Sequence, residues 1–207
     1  MKINLSILIL VFFLFSCKKH CSETNLETSD KTTSEVKTIN NKKVNNFNFD
    51  SFRIDKGSIG SIKVGMTISN AEKNIMGLAK KECEAFDFGF DGGGEAYIYY
   101  IKNEPILALV PKRDSDEILV LIAISNKLKT NNGLNPNSTV EEIKIKNPAI
   151  KINQDLMMGW EFMHDETNNW DFVFMTEENN RIGEYKQNEM STEPKRTETK
   201  ADWITIR

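Results

Sequence analysis

Side-chain chemistry in this chain has few places to occur. His164-Asp165-Glu166, with Asp171 a few positions on, sets an imidazole and three carboxylates around one hairpin. Imidazole titrates near neutral pH and a carboxylate can orient it, so the set could serve as an acid–base pair or hold a metal. A strand-end histidine beside a polar turn is the commoner arrangement, and no nucleophile motif accompanies it. Asp114, Asp116 and Glu117 share a charged loop but lack the ligand spacing of a calcium loop. Asp91-Gly92-Gly93-Gly94 could present bare amides to an anion. No strand-to-helix context or Lys-Ser/Thr pair follows it, so it reads as a hairpin turn rather than a phosphate loop. Cys21 and Cys83 have no CxxC partner or histidine at zinc spacing, and a disulfide between them is geometrically open. The expectation is no catalytic set, no metal site and no cofactor.

Aromatic side chains are the better candidates for function. Trp160, Phe162, Trp170, Phe172 and Phe174 join Tyr97, Tyr99 and Tyr100 in strand-like stretches. Most must be core, but an antiparallel sheet can keep one face in water, and aromatics that reach that face make interface anchors. Tyr97, Tyr99, Tyr100, Trp160 and Trp170 are therefore the candidate binding residues. Tyr97 and Tyr99 point opposite to Tyr100 along their strand. A net charge of −3 argues against a nucleic-acid partner.

Helices and strands must position these residues. Ile62-Lys63-Val64-Gly65-Met66-Thr67-Ile68 lines up with Leu134-Asn135-Pro136-Asn137-Ser138-Thr139-Val140, each ending in a helix-capping threonine. Ile68, Ala71, Ile75 and Leu78 follow the helical period after Thr67. Thr139 and Glu142 form a capping box, and Pro148 shortens the second helix. Alternating residues then predict strands at Phe86–Phe90, Tyr97–Ile101 and Ile106–Val110, with a continuous apolar strand at Ile118–Ile124. In the second half, Trp160, Phe162 and His164 alternate with Glu161 and Met163. Trp170, Phe172 and Phe174 return with the same aromatic face, and Trp203–Ile206 closes the sheet. The predicted fold is α+β: two helix-plus-antiparallel-meander repeats, about 58–128 and 129–207, with helices packed on one sheet face.

Residues 1–16 read as a signal peptide, with Lys2 followed by an apolar run through Phe15 that is too short to span a bilayer. Leu14-Phe15-Ser16-Cys17 resembles the lipobox of bacterial lipoproteins, with Phe15 larger than the usual residue. The resemblance implies cleavage before Cys17 and lipidation of Cys17, and Lys18 in place of an aspartate implies an outer-membrane location facing the periplasm. Residues 17–56 are rich in Ser, Thr, Asn, Lys and Glu and read as a flexible tether; 57–207 is the folded domain. Phe47, Phe49 and Phe52 could make its first contact.

The Val64-Gly65-Met66-Thr67 helix start with its meander resembles the small lipoproteins of barrel-assembly machinery. The duplication resembles β-lactamase-inhibitor-type proteins, which dock partners on a sheet. Lys129-Thr130, Asn132-Gly133-Leu134 and Ser138-Thr139 resemble stretches of uncharacterised bacterial lipoprotein families. The lipobox, the tether, the repeat and the lack of a catalytic set lead to the expectation of a non-enzymatic binding or scaffold module, membrane-anchored through Cys17, whose sheet face engages an envelope protein or another envelope component. The alternative is an envelope hydrolase or metal-dependent enzyme using His164 with Asp165, Glu166 or Asp171.

Overall fold

The computed structural model describes residues 47–90 and 94–207. The signal segment, the lipobox at Cys17, Cys21 and most of the expected tether lie outside the described residues, as do Asp91, Gly92 and Gly93. Packed structure begins ahead of residue 57, where the sequence reading placed the domain start. Asn48 caps a 3-10 turn at Phe49–Ser51 by accepting from the Asp50 amide at 3.1 Å. Phe47 stacks 4.3 Å from the Phe52 ring, and Ile54 is fully buried. Residues 47–56 therefore belong to the folded unit, because their aromatic and aliphatic side chains have a core to enter.

Three two-residue strands follow: β1 (Ile54–Asp55), β2 (Ser58–Ile59) and β3 (Ile62–Lys63). Each sends one isoleucine inward, and Ile54, Ile59 and Ile62 are all 0% exposed. The turn between β2 and β3 requires glycine, since Gly60 has φ +58° and a Cβ would lie 2.4 Å from the Ser51 carbonyl oxygen. α1 (Ile68–Glu72) starts at Thr67, whose hydroxyl accepts from the Asn70 amide. It stops after five residues. The next bonds, Asn74 N–H to Ala71 O and Ile75 N–H to Glu72 O, span three residues rather than four, and Gly77 at φ +96° turns the chain away. The apolar period continues to Ile75, but the helix does not.

β4 (Ala79–Glu84), β5 (Glu95–Ile101), β6 (Glu104–Pro111) and β7 (Ile118–Ala123) form a meander. The expected strand at Phe86–Phe90 is instead a 3-10 turn, Ala85–Phe88, ending in Gly89 at φ 82°. The actual first strand is β4, with charged Lys80, Lys81, Glu82 and Glu84 suited to a solvent-facing edge. α2 (Val140–Lys146) carries the capping box: the Thr139 amide donates to Glu142 at 2.9 Å and the Glu142 amide to Thr139 Oγ1 at 3.1 Å. It is the longer of the two helices, not the shorter. β8 (Ile152–Gln154), β9 (Glu161–Asp165), β10 (Trp170–Phe174), β11 (Ser191–Thr192) and β12 (Trp203–Ile206) complete the described strands, with a 3-10 turn at Glu178–Asn180 between β10 and β11.

The expectation of an α+β fold made of two helix-plus-meander repeats is overturned. The described chain is mostly β, with 14% helix and 37% strand. Its strands form a three-stranded sheet and one antiparallel nine-stranded sheet ordered β11-β8-β9-β10-β12-β7-β6-β5-β4. Two features produce this outcome. α1 ends early for the reasons given, and β12 inserts between β10 and β7, so strands from both halves share one ladder.

The nine-stranded sheet is buried on both faces at its middle. One face, with Tyr99, Leu107, Leu109, Leu121, Phe172, Phe174, Ile204 and Ile206, packs on the isoleucines of β1–β3 and on Ile68, Ala71, Val140 and Ile143. The other carries Ala96, Ile98, Ala108, Val110, Val120, Ile122 and Trp203, covered by Ala85 with Phe88 and Phe90 against it. Two-sided burial accounts for the unbroken apolar run in β7.

Candidate functional site

Strand register lays a row of side chains across the second face. Ile98 pairs with Ala108, Ala108 with Ile122, Ile122 with Thr205, Thr205 with Asp171, and Asp171 with His164. The row changes from apolar to polar as it passes from the first half of the chain to the second. Its polar end is tied together. His164 Nδ1 lies 2.6 Å from Asp171 Oδ1, and Arg207, two positions beyond Thr205 and so on the same face, donates from Nη1 to Asp171 Oδ2. The Asp171 side chain is 7% exposed, against 33% for His164 and 43% for Arg207. A buried carboxylate thus fixes two partly exposed groups that reach solvent.

Over this end runs the Ala85–Phe88 turn. Gly89 takes a left-handed conformation that only glycine adopts readily, and this brings its backbone against Trp160: a Cβ there would be 3.5 Å from the indole. Trp160 meets Trp203 edge to face at 5.3 Å, and Phe88 meets Trp203 at 5.6 Å in the same manner. The result is a cleft of about 270 Å³ walled by Phe88, Phe90, Trp160, Phe162 and Val173, with Asp155, His164, Asp171, Thr205 and Arg207 as its polar lining. Phe162 and His164 also border a wider depression of about 570 Å³ with Asn153, Lys151, Glu166 and Ser191. His164 therefore stands between two hollows.

Of the acids flanking His164 in sequence, only Asp171 bonds it. Asp165 faces the other way and accepts from the Thr167 and Asn168 amides at 3.0 and 3.2 Å, holding the β9–β10 turn. Glu166 lies in that turn. The cleft hydroxyl, Thr205, is 1% exposed and accepts from the Trp203 indole at 3.2 Å, so it is not set as a nucleophile for His164. Among the described residues, no group of three or more His, Cys, Asp or Glu is arranged to hold a metal. Cys83 is half-buried, with Sγ 3.7 Å from the Ala96 carbonyl.

The five candidate aromatics do not form one surface. Trp160 lines the cleft. Tyr100 packs half-buried on the same face of the sheet. Trp170 is core on the opposite face, its indole donating to the Asp55 carbonyl at 3.3 Å. Tyr99 is buried there too and donates to Glu72 at 2.8 Å; burial and that bond push its hydroxyl pKa well above the ordinary value. Tyr97 donates to Glu95 at 2.7 Å, which with partial burial pushes its pKa up to about 12. Lys80 lies 3.7 Å from the Tyr97 ring centre and 2.9 Å from Glu72. These contacts pin the tyrosines to the flank beside α1.

The β9–β10 register corrects the aromatic-face expectation. Trp170 pairs with Asp165, Phe172 with Met163 and Phe174 with Glu161, so these aromatics face away from Trp160, Phe162 and His164. Glu161, which alternates with Trp160 and Phe162, is fully buried. Its carboxylate accepts from Thr176 Oγ1, the Ile182 and Gly183 amides and the Tyr185 hydroxyl, all at 2.7–2.8 Å. Sequence reasoning missed Glu161, Phe88, Phe90 and Arg207 as site elements. Arg207 alone had a readable signal, its period-two spacing from Thr205. No protein-family model matches the chain, nor does any curated protein or solved structure.

Proposed function

We propose that this chain is a lipid-anchored cell-envelope lipoprotein, held in the outer membrane through Cys17, that binds an envelope partner without catalysis through the cleft beside Trp160. One observation carries the reading: aromatic walls meet a polar end whose His164 and Arg207 are both locked onto buried Asp171. Such pre-ordering lowers the entropy lost on binding, and an aromatic anchor beside fixed polar groups is the usual make-up of a recognition hot spot. The Leu14–Cys17 motif supports the anchor. Cys17→Ala should move the protein to the soluble fraction; continued membrane association would refute anchorage. A benzophenone amino acid in place of Trp160 should crosslink a partner in intact envelopes, whereas the same group at Met76, 81% exposed, should not. Adding Arg207→Ala should abolish the adduct. Equal labelling at both positions, or none at 160, refutes the cleft as the binding site.

The second reading has one observation in its favour. With Nδ1 held by Asp171, His164 presents Nε2 toward the hollows, as a water-activating general base would. His164→Ala separates the two readings: if purified protein cleaves ester or phosphoester probes and the variant does not, the non-enzymatic reading fails.

A further inference from the structure

A second cavity lies away from the cleft, lined in part by Phe49, Asp50 and Arg53 of the first described segment. It measures about 620 Å³. Three remote segments deliver cations to it. Ile54 donates to the Lys129 carbonyl at 2.9 Å and bridges Thr130 in parallel. Ile54 and Thr130 point inward, at 0% and 1% exposure, so their neighbours Arg53 and Lys129 project outward together. Lys200 arrives through its bridge to Thr139, next to Ala201, which is 3% exposed. All three charges stand on backbone anchored by buried neighbours.

None of the three enters any of the ion pairs among the described residues; Lys127 at the same cavity does, with Glu104 at 2.7 Å. Two carboxylates, Asp50 and Glu142, also border the hollow, and Glu142 is occupied by the Thr139 amide. The lining thus holds more cations than carboxylates in a chain that has 30 acidic residues against 27 basic ones. Gathering like charges on rigid backbone is unfavourable unless something neutralises them. Asn126, Asn135 and Asn137 add uncharged amide groups for hydroxyl or carbonyl partners.

We infer that this cavity is an anion site, taking a phosphate- or carboxylate-bearing ligand of sugar or lipid-headgroup size. Arg53 supplies a forked contact and Lys129 and Lys200 supply point charges. The volume exceeds what a bare phosphate needs, and the asparagines fit the hydroxyls such a ligand carries. The site is independent of the cleft beside Trp160.

Amine acetylation of the full chain, read lysine by lysine by mass spectrometry, tests this. The probes are inorganic phosphate and glycerol 1-phosphate with the chain in neutral detergent. A further arm reconstitutes the chain in phosphatidylcholine vesicles with or without phosphatidylglycerol. Lys63, exposed and outside the cavity, is the reference. A probe at twice its dissociation constant should slow modification of Lys129 and Lys200 by about threefold and leave Lys63 unchanged. Arg53→Gln should weaken the protection, and added salt should too. Protection by the free phosphate ester assigns a soluble ligand, and protection only in phosphatidylglycerol vesicles assigns a headgroup; both uphold the anion site. No protection in any arm, equal protection at Lys63, or protection unaffected by Arg53→Gln overturns it.

Discussion

Glu161→Gln should destabilise the protein by about 2–4 kcal/mol, although it preserves shape and removes a buried charge. Oε1 accepts from the Gly183 amide and the Tyr185 hydroxyl, and Oε2 from the Ile182 amide and the Thr176 hydroxyl. A glutamine replaces one oxygen with an NH2 group. A hydroxyl can rotate to accept from it, but a backbone amide cannot, so whichever way the side chain turns, Ile182 or Gly183 is left facing a donor. An orphaned buried N–H costs about 1–3 kcal/mol, and weakening the remaining charged bonds to neutral ones adds about 1 kcal/mol more. Relief from burying a charge offsets part of this. Urea unfolding followed by tryptophan fluorescence would measure the difference, and hydrogen exchange should show the loss concentrated at Ile182 and Gly183. A change below about 0.5 kcal/mol with both amides still protected would show that the carboxylate does not hold this segment.

Three further outcomes follow from the same contacts. Gly183→Ala should cost about 1–3 kcal/mol by overpacking, since a Cβ would sit 2.7 Å from Thr192 Cγ2 and 2.9 Å from Ile152 Cγ2; unchanged urea midpoints would contradict that packing. Thr139→Ala should lose about 1 kcal/mol with the α2 cap, while Thr139→Ser should keep most of it. The Lys80 bond holds Glu72 below the ordinary carboxylate pKa, so its stabilisation is present above the unfolded value and disappears as pH falls through the folded one. Glu72→Gln should therefore lose less stability than wild type on acidification from about pH 6 to about pH 3, and an identical acid limb in both proteins would refute the linkage.

The strands with a single unambiguous pattern were legible from sequence. Tyr97–Ile101, Ile106–Val110, Ile118–Ile124 and Trp203–Ile206 all fall on strands, and Thr67 and Thr139 both cap helices. Failures arose where two physical readings compete for one pattern. Phe86, Phe88 and Phe90 alternate like a strand, but the left-handed geometry available at Gly89 lets the segment curl over Trp203 instead. In β9 and β10 the alternation alone does not say which aromatics share a face, and the register sets Trp170, Phe172 and Phe174 opposite to Trp160 and Phe162. With both sheet faces covered, Trp160 and Phe162 remain half-buried on the second face while Glu161 enters the core. An in-facing glutamate is stable only because four donors from Thr176–Tyr185 reach it, and nothing local to β9 announces donors that distant. The histidine pair was legible by type, since Asp171 was among the acids considered, but choosing it over Asp165 required the β9–β10 register.

The placement of the two hollows bears on how a tethered domain would work. The cleft draws His164 and Asp171 from β9 and β10 and Thr205 from β12, whereas the cation-lined cavity takes Phe49, Asp50 and Arg53 from the first described segment of the fold. Were the chain anchored through Cys17 as proposed, a site close in sequence to that anchor would meet headgroups at a higher effective concentration than one farther along the chain, since effective concentration falls with linker length. An anion site there would bias the domain's orientation on an anionic surface, and basic groups contribute about 1 kcal/mol each near such a surface. The Trp160 cleft, built on other strands and tied to no cation of that cavity, is then free to act on a partner while the domain is docked. Arg53→Gln should consequently alter headgroup protection without altering crosslinking at position 160, and Arg207→Ala the reverse. Coupled losses in both would mean that the two hollows act as one site.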